Sequence, residues 1–587
     1  MTDSSHNTLP DQKELEKELS EYLSQKYGEQ VKIVSSGILP NVSFSEDKTA
    51  NGKGPEEREP FDFDLTPEEL VAYLDEYVVR QDEAKAILST KVCTHFNRIR
   101  FAEENPDKRQ RDVGRIKNNV LLMGPTGVGK TFLVKLIARR LGVPFLKGDA
   151  TKFSETGYVG GDVEDLIRDL VREADGDIEL AQYGIIYVDE IDKIASSQSR
   201  LGPDVSRTGV QRAFLKPMEE TEVELKQPHD PVSQLEAIEH FRSTGKRQRQ
   251  VVNTRNILFI MSGAFAGLDE IVKKREQQRS IGFESTVTSK KETARFLSKV
   301  RAEDLIQFGF ESEFVGRLPV IAVLNQLSEE DLYEILLNPN CAVVVGKKQD
   351  FLAYDIKINF DKAALRLIAA KAVSEQTGAR GLVSVMEKIL LHFEKKLPSS
   401  QVKYLVVTPE LVEDPAGELE ELLADPDRQE FHRRRWHELA EEEVDGFAKR
   451  IQLQNGDYLE EHGVMATPSR LRLIAERCQA DIMEPLDVCD IFIDRIKDIR
   501  QCAADLSLRC GIKVSFSEEA IDHILARMPL TGKAIDAFCE EISAAFEYGF
   551  RLLSEKKGLD AVVITAEGID TPTQFVNNLV SSKFQQD

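Results

Sequence analysis

Two short stretches carry residue types that suit chemistry on nucleotide phosphates. Gly124-Pro125-Thr126-Gly127-Val128-Gly129-Lys130-Thr131 fits the spacing G-x-x-x-x-G-K-[ST]. Its glycines let backbone N–H groups turn toward phosphate oxygens, Lys130 can reach the outer phosphates, and the Thr131 hydroxyl can bind Mg²⁺. Ile185-Ile186-Tyr187-Val188-Asp189-Glu190 is an apolar run that ends in two carboxylates. Beside a phosphate loop, Asp189 can hold Mg²⁺ directly or through water, and Glu190 can orient and polarise an attacking water. Between them lies Gly157-Tyr158-Val159-Gly160, an aromatic and a β-branched residue flanked by glycines. It either displays an apolar tip on a loop or packs its Tyr on the core, and spacing alone does not choose.

The elements that must hold these groups are also readable. Val120–Met123 reads as a buried strand. The stretch Phe132–Leu141, with Leu133, Leu136, Ile137 and Leu141 on one face, reads as an amphipathic helix. A strand feeding a glycine turn that opens a helix aims N–H groups and the positive helix end at phosphate. Val143–Leu146, Gly184–Val188, Ile257–Met261 and Val320–Leu324 are further candidate strands, alternating with helices, which predicts an α/β parallel sheet.

Residues 1–60 are polar, with a helical stretch near Gln12–Tyr27 and a linker at Asn51–Pro60. Structure is expected to begin at Thr66-Pro67-Glu68-Glu69, which combines an N-cap, a first-turn proline and a capping-box Glu. Residues 61–340 form the expected large domain and 341–412 a smaller helical unit. Residues 413–505 read as a charged extension of solvated helices. Residues 506–587 read as a degenerate repeat of the small unit. In that repeat Ile356-Lys357-Ile358-Asn359-Phe360 is matched by Ile512-Lys513-Val514-Ser515-Phe516. Thr377-Gly378-Ala379-Arg380 is matched by Thr531-Gly532-Lys533-Ala534, and Tyr404–Thr408 by Ala561–Thr565.

Composition narrows the function. With 587 residues there is room for several domains, and a net charge of −24 argues against a non-specific nucleic-acid binder. No apolar run reaches the length of a membrane span, and Met1–Pro10 is unlike a signal peptide. The seven cysteines are odd in number and contain no C-x-x-C pair, which argues against a disulfide framework and fits reduced cytosol. The four between Cys478 and Cys510 read as helical core positions rather than a metal cluster.

From about Phe61 to Leu411 the chain resembles the ClpX family of AAA+ unfoldases. The stretches that carry the resemblance are Gly124–Thr131, Gly157–Glu164, Gly184–Lys193, Asp204-Val205-Ser206, Ile257–Leu268, Glu313–Pro319 and Thr377–Leu382. The sister family HslU has a large helical insertion before the Asp-Glu strand, and here that interval is short. The resemblance implies an AAA+ P-loop sheet domain followed by a helical small domain, with a mainly helical C-terminal extension here. It implies a cytoplasmic homo-hexamer that hydrolyses ATP with Mg²⁺ and threads protein substrates through its pore to a ClpP-like peptidase. The alternative is a chaperone or complex-remodelling ATPase that works without a peptidase.

By the same resemblance Gly124, Pro125, Thr126, Gly127, Val128, Gly129, Lys130, Thr131, Phe132 and Val79 bind nucleotide. Thr131 and Asp189 hold Mg²⁺, and Glu190, Asp189 and Lys130 act in catalysis. Arg317 is an arginine finger presented to the neighbouring subunit, and Arg380 is a sensor arginine from the small domain. Tyr158 and Val159 grip substrate in the pore, Ser262 stands at the first sensor position, and Ile281-Gly282-Phe283 docks the peptidase. The chain departs from the family in several places. Residues 1–60 lack the four cysteines of a zinc domain, and Arg80 stands where Gly is usual. A longer segment at Gln227–Gln250 replaces the basic pore-entrance loop, Arg207 follows Ser206 where Gly is usual, and Lys533-Ala534 replaces the sensor Ala-Arg in the repeat.

Overall fold

The computed structural model describes residues 63–105, 117–153, 161–195, 205–225, 250–279, 296–527, 534–557 and 560–584. The strands are β1 (Val120–Met123), β2 (Phe145–Asp149), β3 (Ile185–Asp189), β4 (Glu222–Glu224), β5 (Val251–Asn253), β6 (Leu258–Gly263) and β7 (Val320–Val323). Beyond them come β8 (Lys357–Phe360), β9 (Tyr404–Val407), β10 (Lys513–Phe516) and β11 (Ala561–Ile564).

Five strands make one parallel sheet in the order β2-β3-β6-β1-β7. Its strands are near-continuous apolar runs because both faces are covered. Alternation along each strand divides the core in two. Val120, Leu122, Ile185, Tyr187, Leu258 and Ile260 pack with the helices Pro67–Tyr77, Asp82–Glu104 and Lys130–Leu141. Leu121, Met123, Ile186, Val188, Phe259 and Met261 pack with Asp165–Glu173 and Val205–Met218 on the other face. Thr66 and Glu69 close the expected capping box at the start of the first helix. β2 begins two residues later than the sequence suggested: Val143 is buried ahead of it, and pairing with β3 runs from Phe145↔Ile185 to Asp149↔Asp189.

The small unit has its own core around Leu332, Phe351, Ile368, Met386 and Phe393. It runs helix Ala342–Leu352, β8, helices Lys362–Ser374 and Ala379–Lys396, β9, then Pro409–Glu413. The same order recurs downstream as Pro485–Cys510, β10, Glu518–Arg527, Ala534–Lys557, β11 and Ala566–Asp570. Both strand pairs are parallel, in registers Lys357↔Tyr404 and Lys513↔Ala561.

The charged stretch after Glu413 is helical with many charged side chains exposed, and it also buries one stripe that the sequence reading did not foresee. The helix Pro426–Gln454 buries His432, Leu439, Val444, Phe447 and Ile451. Much of its charge is matched across the fold, with Lys348 to Glu443 at 2.7 Å and Arg435 to Asp361 at 2.5 Å. Its apolar positions therefore pack while many of its charges are paired. Cys478, Cys489, Cys502 and Cys510 are buried in helices of the extension. Among the described residues no helix is long and apolar enough to cross a membrane.

Candidate active site

The phosphate loop leaves the carboxyl end of β1 and opens the helix Lys130–Leu141. Gly124 N–H donates to Gly263 O at 3.2 Å, tying the loop to β6. Gly127 has φ +78°, and a side chain there would collide with the Thr377 carbonyl of the small unit. Gly378 is the reciprocal case: its φ is +63°, and an added Cβ would stand 2.7 Å from Gly127 O. Two glycines thus let two backbones touch, and the Ala379 N–H donates to Gly127 O at 2.9 Å. Arg380, the next residue, lines the cleft above the loop.

That cleft measures about 480 Å³ and is lined by Lys130, Thr131, Asp189, Glu190, Ala379 and Arg380, among others. Lys130 Nζ donates to the Gly124 and Pro125 carbonyls at 2.7 and 2.8 Å. Burial pushes its pKa below the ordinary lysine value, against the pull of Asp189 and Asp192, and the nearby Arg380 adds to the lowering. Asp189 ends β3. Burial disfavours its charged form, but the Ser262 hydroxyl and Lys147 outweigh this and hold the carboxyl below the usual carboxylate range. Ser262 Oγ donates to Asp189 Oδ1 at 2.7 Å, and Lys147 Nζ lies 3.3 Å from Oδ2. The exposed Glu190 follows at φ 57°, a left-handed turn that non-glycine residues adopt at a cost. The turn breaks the strand direction, and the carboxylate lines the cleft.

Behind these carboxylates runs a buried hydroxyl chain that the sequence reading missed. Thr131 Oγ1 donates to Tyr187 OH at 3.1 Å, and Tyr187 OH shares a 2.6 Å hydrogen bond with Ser262 Oγ. It joins the phosphate loop to Asp189 through β3 and β6. A tyrosine at the inward-facing middle of an apolar strand was the available signal, since a buried phenol needs a partner.

The other expected residues divide plainly. Thr126, Gly129 and Phe132 line the cleft, while Val128 is buried in the core. Val79 does not line it. It precedes Arg80 and Gln81, both left-handed at φ 56° and 64°, so Arg80 occupies a conformation that suits glycine. Gln81 holds this turn by donating from Nε2 to Asn325 O at 2.9 Å and accepting from Asn325 N at 2.7 Å.

Arg317 is not in this cleft. It caps the helix Ser312–Gly316, just before β7. β7 pairs with β1 from Val320↔Val120, so Arg317 sits at the amino edge of the sheet and the phosphate loop at the carboxyl edge. Four residues of strand separate the two edges, about 10–13 Å. The Arg317 side chain pairs with Glu219. Its backbone is fixed by Asn119, which donates to Arg317 O at 3.2 Å and Met218 O at 3.3 Å and accepts from Phe259 N at 3.3 Å. Asn119, a buried polar residue opening an apolar strand, was also missed.

Tyr158, Val159, Ile281, Gly282 and Phe283 lie outside the described residues. The base of the Tyr158 segment is described: Phe153 and Gly161 form a parallel bridge, and Gly161 N donates to Lys152 O at 3.1 Å.

Comparisons with known proteins agree with this architecture. A family model for the AAA domain (Cdc48 subfamily) matches residues 115–321, and one for the C-terminal, D2-small domain of ClpB protein matches residues 327–397. The chain is 40% identical over 352 residues to the ATP-dependent Clp protease ATP-binding subunit ClpX of Treponema denticola, covering 59% of this chain and 81% of that protein. It is also 40% identical over 386 residues to the proteins of the same name from Borrelia duttonii and Borrelia recurrentis, covering 64% of this chain and 84% of each.

Proposed function

The chain belongs to the ClpX family of AAA+ ATPases, and on that premise we propose that it works as a ring, spending ATP to thread protein substrates through a central pore. The observation that carries this reading is the division of the site. The cleft gathers Lys130, Thr131, Asp189, Glu190 and the small unit's Arg380, while Arg317 stands on the opposite edge of the same sheet. A single chain therefore holds a cleft and a cation that cannot meet. A neighbour in a homo-hexamer brings them together.

Each residue has a task in that scheme. The loop N–H groups and Lys130 bind the phosphates. Thr131 and Asp189 offer hard oxygen donors on one wall of the cleft, which fits Mg²⁺ held mainly by nucleotide oxygens and water. Among the described residues no group of three His, Cys, Asp or Glu forms a protein-only cage. Bound Mg²⁺ would offset phosphate charge. Glu190 orients the attacking water, and the neighbour's Arg317 stabilises charge developing on the transferred phosphoryl group. Arg380 is tied to the loop through Ala379, so nucleotide state is passed to the small unit. Tyr158 and Val159 would convert the resulting rotation into pulling.

Ile281-Gly282-Phe283 would dock a ClpP-like peptidase ring. The peptidase-free chaperone uses the same motor. Co-sedimentation separates them: Ile281→Ala/Phe283→Ala should abolish binding to peptidase rings, and no binding by the parent chain removes the protease reading.

Subunit mixing tests the divided site. Glu190→Gln and Arg317→Ala chains should each be inactive alone. Mixed rings should recover ATP turnover wherever an intact Glu190 faces an intact Arg317. Verified mixed rings that recover nothing would remove the shared-site argument.

A further inference from the structure

A second cavity, of about 590 Å³, lies where the large domain, the small unit and the extension meet. Phe132 and Leu136 line it from the helix after the phosphate loop. Leu336 comes from the helix Glu329–Leu337 that packs into the small unit's core, Pro339 from the turn after it, and Phe447 and Arg450 from the helix Pro426–Gln454. Its size suits a small molecule, and its walls combine apolar side chains with a few polar groups.

The charges around it nearly cancel. Arg139 holds Glu484 with two hydrogen bonds of 2.8 and 3.0 Å, and Tyr77 OH donates to the same carboxylate at 3.0 Å. Lys348 holds Glu443 at 2.7 and 2.9 Å, and Lys362 holds Glu442 at 3.2 Å. Arg450 is left over. Its guanidinium lies 5.2 Å from the centre of the Phe447 ring, and its Nη2 is buried with no hydrogen-bond partner among the described residues. Glu76 attracts it at longer range, but burial dominates and disfavours its charge. Arg450 lines the cavity and makes no ion pair or hydrogen bond among the described residues, so an anionic group there would give the part of its guanidinium that faces the cavity the partner it lacks.

We propose that this cavity binds a small organic anion, with an aromatic or branched apolar body against Phe132, Leu136 and Phe447 and one carboxylate, sulfonate or phosphate on Arg450. Such a ligand touches the large domain, the small unit and the extension at once. Its occupancy would therefore set how freely the small unit moves. Phe132 is shared with the phosphate cleft, giving a direct wall between the two sites. This goes beyond the ATPase reading, because Arg450 and Phe447 belong to the extension.

The test uses the full chain and two probes with similar bodies: anionic 8-anilinonaphthalene-1-sulfonate and neutral N-phenyl-1-naphthylamine. Fluorescence titration should show one saturable site for each. Arg450→Gln should weaken the anionic probe about tenfold and leave the neutral one within about twofold. Gly446 lines the cavity, and a Cβ there meets no atom within 4 Å. Gly446→Phe should therefore fill the space and abolish both signals in a chain that still melts cooperatively. Equal affinity of the anionic probe for parent and Arg450→Gln overturns the proposal. So does undiminished binding by a folded Gly446→Phe chain, or the absence of a saturable site for either probe.

Discussion

Replacing Gly378 by Ala should uncouple the small unit from the phosphate loop. Gly378 has φ 63° and ψ −142°, a region that L residues enter only with strain. That strain costs about 1–3 kcal/mol. The new methyl would also stand 2.7 Å from Gly127 O and 3.1 Å from Thr126 O, both backbone atoms that cannot swing away. Relief requires the turn to lift, which breaks the Ala379 N–Gly127 O hydrogen bond, worth about 1 kcal/mol. The sum is about 2–4 kcal/mol against the closed arrangement, or roughly a 30- to 1000-fold fall in the closed-to-open ratio. Since Arg380 reaches the cleft only when that turn is seated, kcat/KM for ATP should fall severalfold and by up to that order in a steady-state assay. Thermal stability should change little, because the turn can lift without unfolding either core. Gly346→Ala is the control: a Cβ there meets nothing within 4 Å and the position is inside a helix, so activity should hold and stability should be equal or higher. A Gly378→Ala chain with kcat/KM within twofold of the parent would refute the argument that this contact couples the two parts.

Three further outcomes are expected. Tyr187→Phe leaves Thr131 and Ser262 without their shared partner, and should lower stability by about 1–2 kcal/mol in urea melts while the Asp189–Ser262 bond survives. His432 accepts the Val406 N–H on Nδ1 at 3.0 Å, and burial lowers its pKa below the ordinary histidine value. The unfolded chain therefore takes up this proton first as pH falls. Stability from this site should be full above about pH 6.5 and decline below it, and His432→Gln should flatten that part of the profile. Hydrogen exchange of the amides in Pro426–Gln454 would follow the same change. Glu484→Gln combined with Arg139→Gln should show a coupling of about 0.5–1 kcal/mol in a double-mutant cycle, since the pair is bidentate but partly exposed.

The local signatures were legible because each is confined to a few adjacent residues. A strand, a glycine turn and a helix opening at Lys130 are encoded by composition and period, and so is an apolar strand ending in Asp189-Glu190. The capping box at Thr66 and Glu69 belongs to the same class. The echo between Ile356–Phe360 and Ile512–Phe516 was visible as well, because matching strands repeat matching residue patterns. The charged segment after Glu413 was readable as charged helix, but its buried stripe and its long-range ion pairs were not. Glu443 and Arg435 have their partners 95 and 74 residues away, on Lys348 and Asp361.

By itself, then, the sequence determined which groups could bind phosphate and where the elements that carry them begin and end. Tertiary structure alone decided how those groups meet. It set Gly378 against Gly127, joined Thr131 to Asp189 through Tyr187 and Ser262, and placed Arg317 on the far edge of the sheet from its own chain's phosphate loop. It also left Arg450 unpaired at a three-way junction. The reason is physical: a turn or a cap is fixed by neighbouring dihedrals, whereas a contact between residues hundreds of positions apart exists only after strand order and domain packing have chosen which surfaces face each other.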